Sequence, residues 1–128
     1  MSTKTKSGVS VQNGHIIVKT KHGDYIRVPL DYVIFFERRK TGYIDMVTTN
    51  RRYSLGNLTL KEILELIAEY GFCRTHKSFI VNLARVKVIS EDGDRRYKLA
   101  FDDSNSEQAY VSRHFRKDFE QKIGLIIH

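Results

Sequence analysis

Short apolar runs limit the fold of this 128-residue chain more than any other feature. From His15 onward, runs of five to seven residues rich in Ile, Val, Tyr and Phe recur between turn-forming residues, the spacing of strands in hairpins. HIIVKT (15–20) and YIRVPL (25–30) flank KHGD, where Gly23 can take the positive φ of a tight turn. VIFFER (33–38) is apolar on both faces at its centre, as a buried strand is. After RKTG, YIDMVTT (43–49) alternates cleanly and turns at Thr49-Asn50 into RRYSL (51–55). SFIVNL (78–83), VKVIS (86–90), RRYKLAF (95–101) and QAYVS (108–112) read the same way, joined by turns such as EDGD and DDSNSE.

Helix is confined to two places. Thr59 and Glu62 form a capping box, Leu60, Ile63, Leu64 and Ile67 make one apolar face, and Gly71 supplies a left-handed stop. A short closing helix starts at Ser112 as N-cap and buries Phe115, Phe119 and Ile123. The expected fold is mostly β, with small antiparallel sheets, one central amphipathic helix and a short C-terminal helix. Residues 1–8 are too polar to pack and read as a flexible tail, leaving 9–128 as one domain.

The chemistry of the chain is basic. It carries 22 Lys and Arg against 15 Asp and Glu, a formal charge of +7 that favours polyanionic partners such as nucleic acid or an anionic membrane surface. No apolar run approaches membrane-spanning length and the start has no apolar signal core, so the expected site is cytoplasmic, with no membrane partner. The single cysteine, Cys73, excludes an internal disulfide and reads as a small buried hydrophobe. Cys73 and His76 form the only close Cys/His pair, without an orienting acid and too few for structural zinc, so neither catalysis nor a metal site is expected. No cofactor motif is present either.

Charge is also unevenly placed. From Tyr70 to Ser90 there is no acidic residue, whereas Arg74, His76, Lys77, Arg85 and Lys87 fall there. Further clusters stand at Arg38-Arg39-Lys40, Arg51-Arg52 and Arg113 to Lys117, each at a strand end, turn or helix start. Basic side chains at such tips can reach phosphates. A solvated charged face explains one cluster equally well, and several less well.

The run FCRTHKSFIVN (72–82) resembles the signature of the LytTR family: an aromatic after the helix, then Arg, His and Ser ahead of an apolar strand ending in Asn. VPLDYVIFFER, NLTLKEILELI and YVSRHFRKDFEQKIG resemble the family's flanking strand, helix and closing segment, in the same order. The resemblance implies a bacterial DNA-binding output domain of response regulators, an elongated arrangement of small sheets whose loops enter successive major grooves. It further implies transcription regulation through double-stranded promoter DNA, with repeated sites and a homodimer on DNA. The chain has no room for a receiver domain, so it reads as a stand-alone regulator or one domain of a longer protein.

By that resemblance the DNA-facing residues are Arg39, Lys40, Thr41, Gly42 and Tyr43 in a first loop, and Arg74, Thr75, His76 and Lys77 in a second. Ser112, Arg113 and His114 form a third, with Arg116 and Lys117 behind. Lys77, which can donate to guanine O6 and N7 or hold a phosphate, and Arg113 are the candidate base readers, and His76 either contacts a phosphate or holds the loop by hydrogen bonds. Asn82 is expected to satisfy backbone groups, and Phe35, Phe36, Phe72, Phe79 and Ile80 to be core. Two rivals are a module stacking single strands or RNA on its tyrosines, and a domain of this fold that binds protein.

Overall fold

The computed structural model describes residues 4–6, 8–101 and 107–125. The expected DDSNSE turn falls largely at 102–106, outside the described residues. The chain runs β1 (Lys4–Lys6), β2 (Val9–Gln12), β3 (His15–Lys19), β4 (Tyr25–Pro29), β5 (Val33–Arg38), β6 (Ile44–Thr48) and β7 (Arg52–Ser54). Helix α1 (Leu60–Ile67) follows, then β8 (Phe72–His76), β9 (Phe79–Asn82), β10 (Val86–Glu91), β11 (Tyr97–Phe101), β12 (Gln108–Val111) and α2 (Arg116–Ile123). All pairings are antiparallel, in sheets of order β1-β2-β3-β4, β7-β6-β5-β9-β8 and β10-β11-β12.

The five-stranded sheet is central because both its faces are apolar. One face, with Val33, Phe36, Met46 and Ile80, packs on α1 and on Val11, Ile16 and Val18 of the first sheet. The other, with Ile34, Phe35, Val47, Phe79 and Val81, packs on Leu99, Phe101 and Val111 of the third sheet and on Phe119 of α2. Simple alternation would separate Ile34 from Phe35. A bulge between Val33 and Phe35 adds the residue that turns both to one side.

The capping box forms as the sequence dictates: Thr59 Oγ1 accepts the Glu62 N–H at 3.1 Å and the Glu62 carboxylate accepts the Thr59 N–H at 3.0 Å. After α1 a 3-10 turn runs to Tyr70, and Gly71 stops it at φ +88°. Asn82 is buried, donating from Nδ2 to Val33 O and accepting the Ala84 N–H.

Three local expectations need correction. Lys4–Lys6, placed in the polar tail, pair with Val9–Val11 as a strand, because ladder bonds come from the backbone and need no apolar side chains. Arg74–His76, placed in a loop, end strand β8, with only Lys77 and Ser78 left as the turn to β9. The polar side chains are compatible with a strand there because β8 is a sheet edge. The last helix begins at Arg116 rather than just after Ser112: Arg113–Phe115 form a 3-10 turn, and the Ser112 side chain makes no capping bond.

Candidate nucleic-acid interface

The first loop is a closed turn at the end of the β5–β6 hairpin. Arg39 N–H donates to Tyr43 O at 2.8 Å, Gly42 N–H donates to Arg39 O at 2.9 Å, and Gly42 takes φ +93°. Glycine suits that left-handed position, and the turn leaves Lys40 and Thr41 exposed at its tip. Arg38 N–H donates to Ser78 O at 2.8 Å, fixing the hairpin beside the second turn. A groove therefore forms with Arg39 and Lys40 on one wall and Lys77 and Ser78 on the other. Its continuation is lined by Thr41, His76 and Tyr110.

In the second segment, side chains of one sequence motif face different ways. Arg74 reaches forward to the end of its strand and into the turn: Nε donates to His76 O at 2.8 Å and Nη2 to Lys77 O at 2.6 Å. Two carbonyls of the turn are thereby fixed, and Lys77 projects into solvent. His76 Nδ1 accepts the Ser78 N–H at 3.0 Å, which leaves the neutral imidazole with its proton on Nε2. Burial, then Lys77 and Arg74, hold its pKa below the ordinary imidazole value, favouring that neutral form. Arg74 is likewise lowered, by burial and then by Arg38, although a guanidinium stays charged.

A bulge between Arg74 and His76 makes Thr75 the extra residue of β8. Thr75 is fully buried, donates from Oγ1 to Tyr110 O at 2.9 Å, and accepts the Ser112 N–H at 2.9 Å. Its hydroxyl and its backbone carbonyl together thus tie the second turn to the third. There Arg113 and His114 are exposed; Arg113 Nη2 lies 3.3 Å from Asp94 Oδ2, an ion pair open enough to contribute little and to exchange readily.

Other basic residues of the motif are engaged within the domain. Arg116 Nε donates to Glu120 at 2.7 Å while its guanidinium lies 5.1 Å from the centre of the Tyr97 ring. Arg39 lies 3.5 Å from Asp45 and 3.7 Å from Glu37. Arg52, from the basic Arg51-Arg52 pair, donates to Glu107, Glu37 and Asp45, and Glu107 foremost raises its pKa. Tyr43 lines a neighbouring groove with Thr41, Gly42, Gly56, Asn57 and Leu58. Arg38, counted in the basic run Arg38-Arg39-Lys40 but not among the loop contacts, lines the same surface with Ser78 and Tyr110, which sequence reasoning did not single out. The sequence signal for Ser78 was its place directly after Lys77, and Tyr110 had none.

Cys73 is buried, and burial foremost pushes its thiol up to about 11, so it is protonated at neutral pH. Among the described residues no group of three or more His, Cys, Asp or Glu is arranged to hold a metal. No helix of the described residues is long and apolar enough to cross a membrane.

Three small sheets that bring basic turns together define a β-type nucleic-acid-binding domain. Residues 23–124 match the family model of the LytTr DNA-binding domain, and the chain belongs to that family, a DNA-binding regulatory family and not one of enzymes. It is similar to a solved LytTr DNA-binding domain from Bacillus cereus, with a TM-score of 0.75 and 26% identity over 89% of this chain and 100% of that one. It is also 29% identical to the transcriptional regulatory protein NatR of Bacillus subtilis (strain 168) over 110 residues, 86% of this chain. The chain spans 45% of the length of that relative.

Proposed function

We propose that this domain acts as the sequence-specific double-stranded DNA-binding unit of a bacterial, cytoplasmic transcriptional regulator. Lys40 and Thr41, Lys77, and Arg113 with His114 meet the duplex as three tips, entering successive major grooves. Lys77 and Arg113 read base edges; Arg39 and Arg116, held by carboxylates, shape the surface rather than make direct contacts. Two copies occupy repeated half-sites at the promoter, each using the same tips. The likeness to NatR supports the regulatory role.

The observation that carries this reading is the pair of bonds from Arg74 to the carbonyls of His76 and Lys77. They fix the backbone from which Lys77 projects, and a donor carried on a fixed turn suits base reading better than one on a mobile loop. The exposed tyrosines Tyr25, Tyr32, Tyr43, Tyr70 and Tyr110 are spread over different elements, which disfavours a stacking platform for single strands. Selection of bound duplexes from a random pool tests the reading. A recovered motif, repeated at helical-turn spacing, is expected; a pool that stays random while the protein binds RNA or single strands contradicts it.

A further inference from the structure

Lys19 ends β3 and Lys21 lies in the turn to β4, both ahead of residue 23 where the family match begins. Neither is among the family's contact loops, yet the backbone joins them to the first loop. Lys21 N–H donates to Ser54 O at 3.0 Å, Gly56 N–H donates to Lys19 O at 2.8 Å, and Leu55 N–H donates to Ile44 O at 2.8 Å. Ile44 directly follows Tyr43 of the first loop. The two lysines therefore stand two strand spacings from that loop, about 10 Å at ~4.8 Å per strand.

Their side chains form a basic and aromatic strip continuous with the loop. Lys21 Nζ lies 5.8 Å from the centre of the Tyr43 ring, and Lys19 Nζ 5.9 Å from that of Tyr25. Both rings are exposed, Tyr25 at 62% and Tyr43 at 45%. Asn57 and Leu58 floor the groove beside Lys19, Lys21 and Tyr25 and also the one beside Thr41 and Tyr43. Asp24 is the acidic residue of the turn, so the two lysines leave the strip positive.

We propose that Lys19 and Lys21 form a fourth phosphate-binding point, gripping the DNA backbone just outside the segment read by the three tips. This rests on the duplex-binding reading above. An offset of about 10 Å corresponds to roughly three base pairs at ~3.4 Å each, so the strip meets flanking DNA that the first loop already holds nearby. The contact adds affinity and length of footprint without sequence selectivity, because phosphates are the same at every base.

The test uses a duplex carrying one half-site of the selected motif, in a short form ending at that half-site and a long form extended by about six base pairs at each end, twice the expected reach. The double variant Lys19→Gln, Lys21→Gln is expected to bind the long duplex roughly tenfold more weakly than wild type near 0.1 M salt. Its salt slope should be shallower by about 1.8, from two fewer neutralised phosphates. On the short duplex it should match wild type, with the preference for motif over scrambled sequence and the melting temperature unchanged. Unchanged binding to the long duplex overturns the proposal. So does an equal loss on both lengths, or a loss confined to phosphatidylserine vesicles. Lys77→Ala run alongside separates the two readings: it loses selectivity on both lengths if the tips read bases, whatever the lysines do. Wild-type protein with no duplex preference sinks both.

Discussion

Arg74 and Lys77 lie three residues apart in one basic run and have opposite tasks. Arg74 spends its donors on the His76 and Lys77 carbonyls, whereas Lys77 is left exposed. Lysine at position 74 can donate from a single point and cannot span both carbonyls in the fixed fork of arginine. Arg74→Lys is expected to weaken specific duplex binding about tenfold, roughly 1.4 kcal/mol, with a much smaller loss on scrambled duplex. Equal losses on the two duplexes would show Arg74 to be an ordinary phosphate contact. His76 gives a second check. Its folded pKa lies below the unfolded value of about 6.5, so the stability it contributes is present above that pH and is lost as pH falls through the folded pKa. A chemical-shift titration is expected to place its midpoint under that of free imidazole side chains, and Nε2 as the protonated nitrogen; a midpoint above 6.5 contradicts the Ser78 contact.

At the scale of elements, the bulge in β8 decides how the second and third turns sit together. Its extra residue, Thr75, gives a hydroxyl bond and a carbonyl acceptor to the segment Tyr110–Ser112. Thr75→Val keeps the shape but leaves Tyr110 O without that donor. A loss of about 1–2 kcal/mol in denaturant unfolding is expected, with a further loss of specific DNA binding at a temperature where the variant is fully folded. Normal DNA selectivity in the folded variant would detach the bulge from function.

Most elements were legible because alternation and capping are local signals: VIFFER announced a strand buried on both faces, and Thr59 with Glu62 announced α1. The strand character of FCRTH was hidden, because its place at a sheet edge and its bulge depend on the partner strand. The candidate site was legible as basic clusters but not residue by residue. Arg51 and Arg52 read alike, yet Arg52 meets Glu107, 55 positions away, while Arg51 covers the Tyr53 ring. Whether a charge is free or neutralised is a tertiary property, and the sequence cannot rank members of a basic run by it.

At the scale of the molecule, one sheet serves two cores, so the tips are held on a shared frame rather than on separate lobes. The net charge of +7 then acts through several fixed points at once. With about five phosphates neutralised, log K should fall with a slope of roughly −4 to −5 against log salt. A slope near zero would point to protein or apolar recognition.

The most direct measurement titrates Lys77→Ala, Arg113→Ala and Arg51→Ala against a selected duplex and its scrambled counterpart at one salt concentration, after melting confirms each is folded. Arg51 lies outside the three tips, and its guanidinium sits 5.0 Å from the Tyr53 ring centre. Lys77→Ala and Arg113→Ala are each expected to lose about 1–3 kcal/mol on the selected duplex and much less on the scrambled one, with Arg51→Ala affecting both alike or neither. Equal losses on both duplexes for Lys77→Ala and Arg113→Ala would contradict base reading by the tips.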